Sequence, residues 1–205
     1  MSRRFWWLLS AVVCVCCALP AQVIDFESGG LRYQTLSRSG VTIMFAHMPV
    51  QVREYTIVQV TVSNGSSAVC TIRPEDFAFR FPDGHEMRAQ GAPSVVDEFL
   101  RNAGRNDVIR LVNTYEMGLY GLTKFRYASG YEQRRQSAQA EVASTKIKAA
   151  AAASAIAFVE TKLKPGESTD GALFFAIHSK ALVGSSLRVT AGGQLFEFKI
   201  EVAGH

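Results

Sequence analysis

Apolar and polar positions alternate with a period of two along most of this chain. In Tyr55–Ser63 the even positions Thr56, Val58, Val60 and Val62 make one face, and Gln59, Thr61 and Ser63 make a wetter one. Phe77, Phe79 and Phe81 alternate with Ala78 and Arg80, and Phe196, Phe198, Ile200 and Val202 alternate with Glu197, Lys199 and Glu201. Such alternation predicts strands half-buried in an antiparallel sheet. Further strands are expected at Leu31–Leu36, Val41–Met48, Ala68–Arg73 and Leu187–Ala191, the last in a hairpin through Gly192-Gly193. Asp25–Gly30 reads as a leader into the fold. Gly171–Ile177 is apolar on both faces, which predicts a strand that is central or covered on its outer side. Turn signals at Ser39-Gly40, Asn64-Gly65, Pro82-Asp83-Gly84 and Pro165-Gly166 punctuate the pattern. About nine short strands with regular turns predict a mainly β fold, an antiparallel β-sandwich.

The period changes between Pro93 and Ala157. Ser94 followed by Asp97 predicts a helix start in capping-box style. Gly104 ends that helix, and Asn106 opens a second running to about Met117. A connector rich in glycine and tyrosine follows, Gly118 to Gly130. The longest helix is then expected from Tyr131 to Ile156, in a stretch rich in Ala, Glu, Lys, Gln and Arg. Tyr131, Ala138, Val142, Ala149, Ala153 and Ile156 share one face of it. It would reach roughly 40 Å. That face either packs on the sandwich and the first two helices, or lets a second copy approach closely over its small alanines. The domain thus divides into sandwich strands over 22–92, a helical insertion over 93–157 and the returning strands over 158–205.

Three stretches carry a resemblance: VQVTVSNGS (Val58–Ser66), FAFRFPDG (Phe77–Gly84) and LKPGESTDGALFF (Leu163–Phe175). Together they resemble immunoglobulin-like domains of exported bacterial proteins, many of them in families of unknown function. The resemblance covers mainly the strands and implies an immunoglobulin-like antiparallel β-sandwich, usually an adhesive or interaction module. The long helical insertion departs from the simple pattern, as does the lack of the paired cysteines and buried tryptophan of antibody-type domains. The local chemistry of the last motif is plain: Pro165 fixes φ, Gly166 permits a tight reversal, and Gly171 lets a strand begin close to a neighbour.

The N-terminus changes the composition. Arg3 and Arg4 precede an uncharged apolar run from Phe5 to Ala18, and Pro20-Ala21 offers a small-residue cleavage site. That pattern predicts a signal peptide over residues 1–21 and a secreted or periplasmic product. The apolar run is too short for a comfortable membrane span, so no transmembrane segment is expected after cleavage. Removing it takes Cys14, Cys16, Cys17 and both tryptophans, leaves Cys70 as the lone thiol, and lowers the formal charge from +4 to +2. About 184 residues remain, enough for a core that is stable without disulfides. The basic residues form no stripe, so nucleic acid is not an expected partner.

No reaction chemistry gathers in the sequence. His47, His85, His178 and His205 lack metal-ligand spacing. His47 and His178 sit near predicted strand ends where they could meet in space. Asp76, Asp83 and Asp170 fall near turns, where such acids usually accept backbone hydrogen bonds. Cys70, on a face with Ala68 and Ile72, reads as a buried, inert thiol. Asn64-Gly65-Ser66 fits a glycosylation acceptor and equally a hairpin turn, and it is read as the turn. No catalytic, metal-ligating or cofactor-binding residue is assigned, and no cofactor is implied.

Asn113–Gln136 carries the partner-binding candidates Tyr115, Tyr120, Phe125, Arg126, Tyr127, Tyr131, Arg134 and Arg135. Tyrosine and arginine dominate recognition hot spots. The bland reading of the same residues is a connector whose rings cover the open sandwich face. The expectation is a non-catalytic interaction module that binds a protein partner or itself through the insertion. The alternative is a carbohydrate- or envelope-binding module with tyrosines stacking on sugars. A hydrolase or metalloenzyme stands last, because no convergent set of residues supports it.

Overall fold

The computed structural model describes residues 22–49, 51–104, 106–107, 109–111, 113 and 144–200. Eleven strands and two helices order along them. The strands are β1 (Ile24–Ser28), β2 (Leu31–Arg38), β3 (Val41–His47), β4 (Thr56–Asn64), β5 (Cys70–Ile72), β6 (Phe77–Arg80), β7 (Glu86–Arg88), β8 (Thr161–Leu163), β9 (Ser168–Phe175), β10 (Ser186–Ala191) and β11 (Gln194–Lys199). Between β7 and β8 lie α1 (Ala92–Asn102) and α2 (Thr145–Ile156). One sheet runs β1-β2-β3-β4-β9, a second runs β11-β10-β6-β7, and β5 pairs with β8 alone. Every strand pairing is antiparallel. The chain is a mainly β, antiparallel sandwich.

Two-residue turns set the register of three hairpins. Gly29-Gly30, Ser39-Gly40 and Gly192-Gly193 all have positive φ at both positions. That is the primed geometry whose twist matches that of the paired strands. Ser39 adopts it as a non-glycine residue, at φ 49°.

The two larger sheets close on a core built from alternate residues. Ile43, Phe45, Val58, Val60, Val62, Leu173 and Phe175 meet Phe77, Phe79, Leu187, Val189, Phe196 and Phe198. Edge-to-face and tilted rings lock it, with centroids 5.0 Å apart for Phe45–Phe198 and 4.4 Å for Phe79–Phe175. Cys70 is free and buried within this core, as its strand face predicts.

A second apolar cluster lies on the other side of the five-stranded sheet. Leu31, Tyr33, Met44, Ala46, Ile57 and Phe174 face out of the sandwich and meet Val95 and Phe99 of α1 and Ala149, Ala150, Ala153 and Ile156 of α2. The architecture is therefore three layers: sheet, sheet, helices. This overturns the expectation of a wet face on β4, since Gln59 and Thr61 are as buried as the valines opposite. It also resolves Gly171–Ile177. The strand β9 ends the order of its sheet rather than standing at its centre, yet all eight of its residues are buried because the outer face is covered.

Other boundaries differ from the sequence reading for local reasons. Asp25–Ser28 is strand rather than leader, because β1 pairs with β2 across the Gly29-Gly30 turn; its exposed residues gave no alternation to read. The helix α1 opens at Ala92, with Gly91 extended before it and Pro93 in the first turn, so Ser94 is not the cap. Proline fits there because first-turn N–H groups have no helical partner anyway. The long helix does not run unbroken from Tyr131, since Ser144 is extended at φ −93° and ψ 128° and the helix starts at Thr145. Twelve residues give α2 a length of about 18 Å. The short strands β7 and β8 carry too few residues to announce a period. The expected helix from Asn106 is present in part, residues 106–107, 109–111 and 113 being helical.

The insertion is stitched to β9 at both ends. Gln90 donates its N–H to Phe174 O at 2.8 Å, and Phe158 donates to Ala172 O at 2.8 Å. The second stitch passes so close that a Cβ on Gly171 would stand 2.7 Å from Phe158 Cα. Gly171→Ala should therefore destabilise by about 1–3 kcal/mol, since backbone and not a yielding side chain blocks the methyl. A urea midpoint lower than wild type at unchanged slope checks this; an unchanged midpoint would mean that the crossing chain moves freely.

Candidate functional site

The helical layer is the surface on which the sequence places a working site. Its inner contacts are specific. Phe99 stacks near Tyr55, with centroids 6.1 Å apart, and meets Phe174 edge-on at 6.4 Å. Tyr55 in turn donates its hydroxyl to Gln90 Oε1 at 3.1 Å. Burial, with the carboxylates of Glu54 and Glu98 added, pushes the Tyr55 phenol above its ordinary range.

The C-terminus of α1 is held by cations, which suit the negative end of a helix. Arg53 Nη1 donates to Asn102 O at 2.6 Å, and Lys146 Nζ donates to Arg101 O at 2.7 Å. Arg53 reaches the helix from a backbone at φ 57°, unusual for a non-glycine residue. Glu98 accepts from Asn102 Nδ2 at 2.7 Å, which holds its carboxyl below the usual range, with help from Arg101 and Arg53. No sequence signal marked Arg53, because its partner carbonyls lie at the far end of another element.

The outer side of this layer exposes large apolar side chains. Leu100 on α1, Ile147 on α2 and Ile109 are 40 %, 45 % and 50 % exposed. The Lys146–Arg101 bond brings the start of α2 to the end of α1, so Leu100 and Ile147 share one end of the layer. The candidates Tyr115, Tyr120, Phe125, Arg126, Tyr127, Tyr131, Arg134 and Arg135 lie outside the described residues.

The remaining candidates scatter. His178 Nδ1 contacts Gln51 Nε2, while Thr56 Oγ1 donates to Ile177 O at 2.6 Å beside Ser179. His47 ends β3, and burial lowers its pKa. Among the described residues no three His, Cys, Asp or Glu side chains gather as they would around a metal ion. Asp76 and Asp83 accept the backbone N–H of Arg73 and His85 at 2.8 and 3.0 Å, as turn acids do. Asp170 departs from that expectation: it is no turn acid but a buried residue of β9. Asn64 is wholly buried; its amide donates to Ala68 O and Leu163 O, and its Oδ1 accepts from the N–H and hydroxyl of Ser66. The chain bends after Asn64, but β4 and β5 lie in different sheets, so the expected hairpin turn is not formed; the amide nitrogen is committed to the fold.

The His47 shift has a sign that can be checked. Its folded pKa lies below its unfolded one, so the unfolded chain binds the proton more readily. Its neutral form therefore favours the fold above about pH 6.5, and that contribution drains away as pH falls. His47→Gln should lose less stability than wild type between about pH 7 and about pH 5. Parallel losses in urea titrations would refute the assignment.

Among the described residues no helix is long and apolar enough to cross a membrane. No family model matches the chain, and no curated protein matches it in sequence. Among solved structures, the yjhA protein from Bacillus subtilis is similar at 12 % identity, covering 82 % of this chain and 77 % of that one, with a TM-score of 0.33. At that score the likeness carries no argument about fold or function.

Proposed function

We propose that the chain is an exported, non-catalytic interaction module, an immunoglobulin-like sandwich that presents its helical insertion to a protein partner or a second copy. The observation that carries this reading is the exposure of Leu100, Ile109 and Ile147 on the helical layer. The sandwich core between the two sheets draws on neither helix, so the helices are not needed to complete it. An apolar side left open on an added layer is the usual mark of a docking surface. The tyrosine- and arginine-rich stretch follows in sequence between α1 and α2 and supplies the residue types that dominate hot spots.

The test compares residues 22–205 with a Leu100→Ser/Ile147→Ser variant of matching circular dichroism. Sedimentation measures self-association, and cross-linking in native envelope extract measures partner capture. Loss of either assembly, by about tenfold in affinity, supports the reading. Identical assembly and capture by both proteins would move the working surface to the sandwich faces.

A further inference from the structure

Among the described residues, every sheet edge but one is guarded. Gln90 and Phe158 take the free side of β9, donating to Phe174 O and Ala172 O. Arg38 reaches from β2 to Leu195 O and plugs the free side of β11 at its start. The strands β5, β7 and β8 have three residues each, too few to offer a ladder. Folded proteins guard edges in such ways because unpaired strand groups recruit other chains. β1 is the exception: it has five residues, stands last in the order of its sheet, and is exposed along most of its length.

The hairpin dictates which groups of β1 are free. Across the two-residue turn Gly29-Gly30, Ser28 pairs with Leu31, Phe26 with Tyr33 and Ile24 with Thr35, and these pairs exchange the hydrogen bonds. The N–H and C=O of Asp25 and Glu27 therefore point outward, away from β2. Side chains alternate, so Ile24 and Phe26 share one face of the strand and Asp25 and Glu27 the other. Phe26 stacks on Tyr33 with centroids 5.3 Å apart and is still 38 % exposed, and Ile24 is 60 % exposed. On the other face Arg32 holds Asp25 at 3.0 Å, while Glu27 has no ion-pair partner among the described residues.

We propose that the free edge of β1 is a docking site for an extended segment of another protein, in which apolar residues alternate with lysine or arginine. The segment adds beside β1 as a sixth strand of the sheet. The outward backbone groups of Asp25 and Glu27 supply its ladder hydrogen bonds. Its apolar side chains cover Ile24 and Phe26, and a basic one stands beside the unpaired Glu27. A second copy fits this edge poorly, because antiparallel pairing of two β1 strands about Phe26 sets Asp25 against Glu27 twice. The edge shares no residue with the exposed apolar side of the helices, so it stands or falls apart from the docking surface above.

The experiment titrates residues 22–205 with a capped peptide of alternating valine and lysine, to about 2 mM, and follows the backbone amides of Asp25 and Glu27 by NMR. The expected result is a saturable shift of both signals, with slower hydrogen exchange at both. A peptide of alternating valine and glutamate should leave them in place. Glu27→Pro removes one outward N–H and the free carboxylate but spares the β1–β2 bonds, a change that edge strands tolerate. It should weaken binding at least about tenfold, and Glu27→Gln, which keeps the backbone donor, about threefold. No shift with the basic peptide overturns the proposal, as does equal binding of the acidic one. Binding that survives both substitutions, in variants whose remaining spectrum matches wild type, overturns it too. Concentration-dependent dimerisation that Glu27→Pro abolishes would put a second copy on the edge in place of an outside partner, and would equally overturn it.

Discussion

Truncating Phe99 to alanine should cost about 3–5 kcal/mol at the seam between helices and sheet. Phe99 is wholly buried there and links α1 to Tyr55 on one side and Phe174 on the other. Nothing in the inter-sheet core touches that loss directly, because the two apolar clusters share no residue. The damage should therefore stay local. Hydrogen exchange should accelerate through α1, α2 and the Gln90 stitch, while amides of β3, β4 and β10 keep most of their protection. A loss of protection spread evenly over both sheets would show that the helical layer and the sandwich unfold as one cooperative unit. The outcome bears on function, since a partner that grips a separable layer can be released by loosening it.

Asn64→Ala should lower stability by about 2–4 kcal/mol, a large effect for so small a side chain. The Asn64 amide donates to the carbonyls of Ala68 and Leu163, 2.8 and 3.0 Å away, and so ties the end of β4 to the approaches of β5 and β8. Its own backbone closes the same knot, accepting from Gly166 N and donating to Glu167 O. Alanine leaves the Leu163 carbonyl buried with one donor fewer and opens a polar void. Asn64→Asp keeps the shape but cannot donate, so it should destabilise comparably at neutral pH. Ser66→Ala removes only the bonds of one hydroxyl and should cost about 1 kcal/mol. Urea unfolding of the three variants orders them; an Asn64→Ala cost below that of Ser66→Ala would mean that water replaces the lost amide.

The sandwich was largely legible because its strands obey period two and its turns use residues with a mechanism. Gly192-Gly193 and Ser39-Gly40 announce hairpins by tolerating positive φ, and the phenylalanine triplet at Phe77–Phe81 announces a buried face. The third layer was harder to read. The signal was present in Ala172, Phe174 and Ala176, whose apolar second face required a cover, but β4 offered Gln59 and Thr61 there and looked wet. Polar residues under a cover carry no sequence mark that separates them from polar residues under water. The start of α2 at Thr145, after the extended Ser144, was hidden by the helix-forming composition on both sides of it. Arg53 was invisible for another reason: a clamp between a tight loop and a distant helix end has no spacing. Of the candidate site, the location on the insertion rests on sequence pattern, and Leu100, Ile109 and Ile147 emerged only with the fold.

The two stitches on β9 have a consequence for how such a chain can change over time. The peptide leaves the sheet after Gln90 beside Phe174 and returns at Ala157 beside Ala172. The exit and the re-entry are thus two residues apart on one strand edge, about 7 Å. Everything between them, residues 91–156, starts and finishes at one doorway. Closing a longer or shorter excursion across so narrow a gap alters the chain entropy only logarithmically with length. Insertions, deletions and wholesale exchange of that segment can accumulate without re-registering any strand. Lineages that share this sandwich are then free to differ most in the helical layer, while the doorway residues hold still.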